Sequence, residues 1–228
     1  MGYQLKEIVP WGRSYSEYVQ MFALTDSDLA QTILGCGDGP AGFNAVLSKA
    51  GGKIISVDPL YEFSQEAITE RIQETYKVVI EQTRLNQQEF VWKNITSVEE
   101  LGKIRLSAMD AFLADYPEGL KDGRYQSMSL PDLIFQDQSF ALGLCSHLLF
   151  LYSAQLSEPF HLSAIKELCR VCDEVRIFPL LELGGLPSRH LPGILKQLTE
   201  AGYQTSVREV AYEFQKGGNQ LLSVRRIE

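Results

Sequence analysis

A glycine-rich turn between two short apolar runs constrains this chain more than any other feature. Its parts, in chain order, are the run 31–34, the glycine-rich segment 35–42, the helix-like segment 43–49, the Gly51-Gly52 pair and the run 53–57, which ends at Asp58. Strand, turn, helix and strand in this order and length are typical of a βαβ unit. Because glycines lack side chains, a ligand can contact the backbone at such a turn. We therefore predict a ligand site there.

The rest of the chain alternates between helical and strand-like segments. Helical patterns occupy 64–92, 98–116, 161–171 and 191–201, and strand-like runs occupy 125–130, 141–145, 174–181, 203–214 and 220–227. Alternation of this kind predicts an α/β fold with a doubly wound, mostly parallel sheet. Lys216-Gly217-Gly218-Asn219 predicts a hairpin between the last two strands, so the sheet should end in an antiparallel pair.

The chain has 228 residues, which fits a single domain, 1–228, with one core. Sixty-six residues separate Asp58 from Tyr125, far more than a crossover needs. We interpret 62–122 as a helical insertion over one edge of the site and 1–30 as an N-terminal lid segment.

Composition narrows the class of partner. The net charge is -8, which repels phosphate backbones, so a nucleic-acid partner is unlikely and a small-molecule substrate is favoured. The apolar runs are too short to span a membrane, and the N-terminus does not resemble a secretory signal, so we expect a cytoplasmic protein. The four cysteines lie in apolar segments and suggest buried thiols. Cys169 and Cys172 lack a second ligand pair, so we predict no metal site.

The position of Asp58 admits two kinds of cofactor. It ends the second strand, 19 residues beyond Gly39, where a carboxylate can accept hydrogen bonds from both hydroxyls of a ribose. Gly37, Gly39 and Gly42 also match the dinucleotide pattern G-x-G-x-x-G, so an NAD(P)-dependent oxidoreductase is an alternative. Few strands remain for the second mononucleotide-binding half that a dinucleotide needs.

Three segments resemble the motifs of class I S-adenosylmethionine-dependent methyltransferases: Leu34-Gly35-Cys36-Gly37-Asp38-Gly39-Pro40, Ile55-Ser56-Val57-Asp58, and the run Leu133 to Phe140, which is similar to L-P-F-x-D-x-S-F. Residues 11–22 further resemble the W-G-R-S-x-x-E-Y-x-x-M-F segment of an uncharacterised bacterial subgroup. The resemblance implies a seven-stranded Rossmann-like sheet, S-adenosylmethionine as cofactor, and methyl transfer to an unidentified small or medium-sized substrate. A non-enzymatic S-adenosylmethionine-binding protein is a further alternative.

The resemblance also implies roles for individual residues. The turn residues Gly35, Cys36, Gly37 and Gly39 would lie along the methionine part of the cofactor, Asp58 would bind the ribose, Pro59, Leu60, Ser129 and Leu130 would lie near the adenine, and Ser146 would also contact the cofactor. The family usually has an acidic residue where this chain has Gly35, so one contact to the methionine amino group is expected to be missing. Ile134 replaces a usual proline.

Two further side chains are candidates for chemistry. His147 follows the fourth strand, where the family faces cofactor and substrate; it would be a general base or would only position the following loop. Arg13 has a guanidinium that can pair with the cofactor's carboxylate, while Tyr15 and Tyr18 would close over the cofactor or pack in the core. His161 and His190 are interpreted as surface or cap positions.

Overall fold

The computed structural model describes residues 8–227, which form a seven-stranded sheet with helices on both faces. The strands are β1 (Thr32–Cys36), β2 (Lys53–Val57), β3 (Tyr125–Gln126), β4 (Phe140–Ser146), β5 (Cys172–Phe178), β6 (Tyr203–Glu209) and β7 (Gln220–Arg226). Their order across the sheet is β3-β2-β1-β4-β5-β7-β6. Strand β7 runs antiparallel to both β5 and β6, and the other pairs are parallel. The predicted Rossmann-like fold class is confirmed.

Helices connect the parallel strands and flank the sheet. In the described part of the chain they are α1 (Tyr15–Met21), α2 (Asp26–Leu29), α3 (Phe43–Lys49), α4 (Gln65–Leu85), α5 (Val98–Lys121), α6 (Glu158–Val171) and α7 (Leu191–Glu200), with 3-10 turns at Pro59–Glu62 and Gln87–Glu89. Serine side chains accept hydrogen bonds from first-turn amides at the starts of α4, α5 and α6. Such caps satisfy amides that have no partner within the helix, so these starts are encoded locally.

The hydrophobic core has three parts. One packs α6 and α7 against β4 and β5, and it includes Leu168, Val175 and Ile194, all fully buried. The second lies on the other face of the sheet, between α1, α3 and the central strands, around Phe22 and Phe43. The third is an aromatic cluster that joins α4 and α5 to β3. Burial on both faces fixes the central strands and therefore the position of the turn after β1.

The two long helices α4 and α5 occupy most of the predicted insertion, 62–122. They pack against each other, and α5 also packs against α3. Glu17 of α1 forms a buried ion pair with Arg105 of α5, which ties the N-terminal segment to the insertion. The insertion and the segment before β1 therefore lie on the same side of the molecule.

Two predicted strands differ from the structure. The strand expected over 125–130 is limited to Tyr125 and Gln126, because only Ser56 and Val57 at the end of β2 pair with it. The antiparallel pair at the C-terminus is confirmed, but its tight hairpin is wrong: β6 ends at Glu209, and residues 210–219 form a longer connection. Phe214 in this connection stacks on Phe90, which draws the segment away from the sheet.

Candidate cofactor and substrate site

The glycine turn lies at the carboxyl end of β1 and begins with a backbone bond to the neighbouring strand. The Gly37 amide donates to the Val57 carbonyl at 2.9 Å. Gly37 and Gly39 have φ of 67° and 51°, a left-handed conformation that glycine adopts without strain. A Cβ on Gly37 would also lie 2.6 Å from Cδ2 of Leu148. The turn therefore needs glycine at position 37 for conformation and for space.

Asp58 holds the turn against the end of β2. One carboxylate oxygen accepts the Gly39 amide at 2.9 Å, and the other accepts the Leu60 amide at 2.8 Å. Burial raises the pKa of Asp58, and the hydrogen bonds from the Leu60 and Gly39 amides oppose that rise. Because each carboxylate oxygen has two acceptor positions, Asp58 retains capacity for the hydroxyls of a ligand.

A cavity of about 880 Å³ opens at the turn and extends beneath the N-terminal segment and α4. This volume is near the upper end of the range of about 300–1,000 Å³ for small-molecule sites. Eleven of the twelve predicted site residues line it: Arg13, Cys36, Gly37, Gly39, Asp58, Pro59, Leu60, Ser129, Leu130, Ser146 and His147. The twelfth, Gly35, does not line the cavity.

Asp38, which sequence reasoning did not select, covers Gly35. Its carboxylate accepts the hydroxyls of Tyr18 at 2.8 Å and Ser56 at 2.7 Å, and the residue is 7% exposed. Burial, together with the negative charge of Asp58, raises the pKa of Asp38. The hydrogen bonds from Ser56 and Tyr18 lower it, and the resulting pKa is about 6. The sequence signal was an acidic residue inside the turn, three positions after the glycine that stands where an acid was expected.

Arg13 lines the cavity with an incompletely paired guanidinium. Its Nη1 donates to the carbonyl of Trp11, whereas its buried Nε has no hydrogen-bond partner among residues 8–227. Burial, and then the charge of Arg105, lower the pKa of Arg13, but an arginine stays protonated. The carboxylate of Glu17 lies beside the guanidiniums of Arg13 and Arg105. Burial would raise the pKa of Glu17, but the charge and hydrogen bonds of Arg105 outweigh burial and hold this pKa at about 2. This end of the cavity therefore favours an anionic group.

His147 stands at the end of β4 with its ring partly buried in the cavity. Its Nδ1 is 2.8 Å from the hydroxyl oxygen of Ser146, and its backbone amide donates to the Phe178 carbonyl at 2.7 Å. Burial, followed by the charges of Arg13 and Arg105, lowers the pKa of His147 well below 6.5, so its imidazole is neutral at pH 7. Its φ is 56°, an uncommon conformation for a residue with a side chain.

Comparison with known proteins adds one close relative. No family model matches the chain. Uncharacterized protein MJ0045 of the archaeon Methanocaldococcus jannaschii is 36% identical over 223 residues, which cover 97% of this chain and 98% of that protein. The chain belongs to the family of MJ0045. Because this relative is archaeal, the bacterial subgroup stays a prediction.

Several solved structures similar to this member of the MJ0045 family are described as methyltransferases. A TehB-like SAM-dependent methyltransferase from Corynebacterium glutamicum has a TM-score of 0.51 at 16% identity, with 94% of this chain and 88% of that chain covered. Magnesium protoporphyrin IX methyltransferase from Synechocystis, with bound SAM, has a TM-score of 0.48 at 13% identity, with 93% and 77% covered. The first likeness shows that the fold is the Rossmann-like fold of methyltransferases.

The remaining histidine and cysteine predictions have mixed outcomes. The surface position predicted for His161 is wrong: the residue is fully buried, and its Nε2 accepts the Phe150 amide at 2.9 Å. His190 does precede α7, at its cap position. All four cysteines are buried free thiols. Within residues 8–227 there is no cluster of three metal-ligating side chains, and no helix is long and apolar enough to span a bilayer.

Proposed function

We propose that this protein is an S-adenosylmethionine-dependent methyltransferase acting on a small or medium-sized substrate. One observation carries the proposal: two carboxylates, Asp38 and Asp58, face a glycine turn that shares one cavity with His147. We call Asp38 and Asp58 the carboxylate pair. The C. glutamicum structure, described as a SAM-dependent methyltransferase, agrees with the proposal in fold.

The adenosine half of the cofactor fits the end of β2. Asp58 would accept ribose hydroxyls through the acceptor positions that Gly39 and Leu60 leave open. Pro59 and Leu60, which follow β2, and Ser129 and Leu130, which follow β3, line the cavity. Apolar walls with a few polar groups are typical of sites that bind a planar base.

The methionine half fits the turn and the N-terminal segment. Cys36, Gly37 and Gly39 line the cavity at the turn, and Ser146 lines it at the end of the neighbouring strand β4. Arg13 would pair with the cofactor's carboxylate, since its Nε has no partner among the described residues. The segment before β1 would then act as the lid that the sequence predicts, and the insertion, which Arg105 joins to that segment through Glu17, would cover one edge of the site.

His147 would act on the acceptor substrate. The bound cofactor supplies an electrophilic methyl group. A neutral imidazole can accept a proton from an oxygen or nitrogen nucleophile, and the lowered pKa keeps His147 neutral at pH 7. If Nδ1–H donates to Ser146, the lone pair lies on Nε2. Nearby aromatic side chains, including Tyr152 and Phe178, would exclude water from the acceptor.

The carboxylate pair argues against the oxidoreductase alternative. A dinucleotide places its pyrophosphate at the glycine turn. Here that position faces Asp38 and Asp58, and neither forms an ion pair with a cation in the described part of the chain. Asp58 suits the ribose of either cofactor, whereas the additional buried carboxylate of Asp38 repels a pyrophosphate and attracts a cationic group. The same charges suit a cationic cofactor.

A turnover assay separates an enzyme from a non-enzymatic binder. We would incubate the chain with S-adenosylmethionine and a panel of small metabolites carrying hydroxyl, amino or carboxyl groups, and measure the S-adenosylhomocysteine released. The proposal predicts release that depends on at least one acceptor and is reduced in His147→Asn. Asparagine is chosen because it tolerates the left-handed conformation of position 147. Tight cofactor binding with no release on the panel would support the binder.

A further inference from the structure

The loop between β4 and α6, residues 147–157, forms part of the cavity wall. We call it the β4–α6 loop, and five of its residues line the cavity: His147, Leu148, Leu151, Tyr152 and Leu156. Two of its residues have positive φ without being glycine, His147 at 56° and Phe150 at 66°. A left-handed conformation is unfavourable for a residue with a Cβ, so contacts from outside must hold the loop in this shape.

Both backbone groups of Phe150 bond to buried side chains. Its amide donates to Nε2 of His161 at 2.9 Å, and its carbonyl accepts the hydroxyl of Ser153 at 2.6 Å. The ring of Phe150 also packs against that of His161, with centroids 5.3 Å apart. His161 belongs to α6 and is fully buried. One side chain of α6 therefore fixes the backbone of the β4–α6 loop three residues after His147.

The hydrogen bonds of His161 define its protonation state. Because the Phe150 amide donates to Nε2, that nitrogen carries a lone pair. Nδ1 is 2.8 Å from the carbonyl oxygen of Ser157, which can only accept, so Nδ1 carries the hydrogen. Burial lowers the pKa of His161, which favours the same neutral form. Both ring nitrogens are thus used, and a residue without an acceptor at this position would leave the Phe150 amide unpaired.

His190 holds the second half of the same loop. Its Nε2 lies 3.0 Å from the carbonyl oxygen of Ser153 and 3.1 Å from that of Leu156. Both oxygens accept, so Nε2 of His190 donates. The rings of His190 and His161 are neighbours, with centroids 5.0 Å apart. Two adjacent imidazoles therefore anchor the β4–α6 loop at three backbone positions.

We propose that His161 is a positioning residue, which holds the β4–α6 loop so that the imidazole of His147 stays buried in the cavity. Its own side chain is not among the described residues that line the cavity, so it acts through the Phe150 amide. The inference rests on the proposed function for the chemical role of His147, whereas the position of the loop does not depend on that role.

A positioning role differs from a contribution to stability alone. If His161 only stabilised the fold, its loss would leave the surroundings of His147 unchanged in the folded chain. If it positions the loop, its loss would expose the His147 ring. Burial is the first cause of the lowered pKa of His147, so exposure would move that pKa back toward 6.5.

The test is an NMR titration of the His147 ring in the full chain. His161→Phe keeps a ring of similar size and removes the acceptor for the Phe150 amide. His161→Gln keeps an oxygen acceptor and is the conservative variant. Phe112→Leu lowers stability in the aromatic cluster of α4, α5 and β3, a different part of the core, and is the control. In each variant, adding His147→Asn assigns the His147 signal.

We expect His147 not to titrate between pH 6 and pH 8 in the native chain, His161→Gln and Phe112→Leu, and to titrate in that range in His161→Phe. S-adenosylhomocysteine should bind His161→Phe within about threefold of the native chain, because the glycine turn and Asp58 follow β1 and β2. With an acceptor from the metabolite panel, kcat should fall about tenfold or more in His161→Phe and recover in His161→Gln.

An His147 ring that does not titrate in His161→Phe, or that titrates equally in Phe112→Leu, would overturn the positioning role. If His161→Phe does not fold, His161→Met is titrated in its place, since the flexible methionine fills the same space without an acceptor for the amide. A native chain that binds no S-adenosylhomocysteine would instead overturn the proposed function, and the titration of His147 would still decide whether His161 holds the loop.

Discussion

The carboxylate of Asp58 and the backbone amide of Gly39 are joined by a 2.9 Å hydrogen bond across the ends of β1 and β2. The carboxylate of Asp58 therefore both fixes the glycine turn and faces the cavity. Tyr61 reinforces the arrangement by donating its hydroxyl to the Gly39 carbonyl at 2.8 Å. The turn is thus held in place by the side chain that we assign to the ribose.

Asp58→Ala should weaken the binding of S-adenosylhomocysteine by roughly 10- to 100-fold, because the substitution removes the acceptor for the ribose hydroxyls and leaves the Gly39 and Leu60 amides without their partner. Asp58→Asn is the matched control. It keeps an oxygen acceptor and the shape of the side chain, so it should reduce the binding affinity less. Calorimetric titration measures both. Affinities unchanged in both variants would remove Asp58 from the cofactor site.

Gly37→Ala should destabilise the fold more than Gly51→Ala. Both glycines have positive φ, so each substitution carries a strain of about 1–2 kcal/mol. A Cβ at Gly51 meets nothing within 4 Å, whereas a Cβ at Gly37 would lie 2.6 Å from Leu148. The additional loss of unfolding free energy in Gly37→Ala, measured by urea unfolding, should be smaller when Leu148→Ala is also present. Equal losses at both glycines would contradict the proposed crowding.

Glu17→Gln should destabilise the protein by about 3–5 kcal/mol at pH 7, because the buried Arg105 loses its carboxylate partner. Replacing both residues by Met should be less harmful than Glu17→Gln, since Arg13 is then the one guanidinium left beside that position instead of two. Chemical denaturation of the two variants and the native chain gives the comparison. A loss below about 1 kcal/mol in Glu17→Gln would show that the pair is not important for stability.

The same pair predicts acid sensitivity. The pKa of Glu17 is lowered from 4.5 to about 2 in the folded chain, so its stabilisation is present in full above about pH 5 and is lost as the pH falls toward 2. The free energy of unfolding of the native chain should therefore fall more steeply between pH 5 and pH 3 than that of the double Met variant. Parallel pH profiles would contradict a lowered pKa.

His147 should remain neutral across the physiological range. Burial lowers its pKa well below 6.5, so its ring signals in NMR spectra should not titrate between pH 6 and pH 8. The chain has three histidines, and His147→Asn identifies the relevant signal. An unfolded histidine takes up a proton near pH 6.5, so this residue should lower stability as the pH falls below that value. A midpoint near 6.5 in the folded chain would refute the buried, neutral imidazole.

Local sequence patterns were sufficient to predict the central βαβ unit. The helix Phe43–Lys49 and the strand Lys53–Val57 have the bounds predicted from sequence, because apolar runs, glycine pairs and their spacing determine them. The predicted cofactor residues other than Gly35 lie around one cavity, since the carboxyl ends of parallel strands meet at one edge of the sheet.

Features that depend on contacts between distant segments were missed. Residues 127–130 have strand-like composition, but β2 ends at Val57 and offers no further pairing positions. Residues 210–214 have strand-like composition, but Phe214 packs against Phe90 and Trp92 instead of extending β6. Asp38 was overlooked because its contact with the space beside Gly35 depends on the curvature of the turn.

The central claim is tested most directly by titrating the native chain with S-adenosylhomocysteine and, in parallel, with NADH. The carboxylate pair and the glycine turn predict saturable binding of a single S-adenosylhomocysteine per chain and no binding of NADH. Asp58→Ala serves as the control that such binding uses this site. Saturable binding of NADH without binding of S-adenosylhomocysteine would contradict the account.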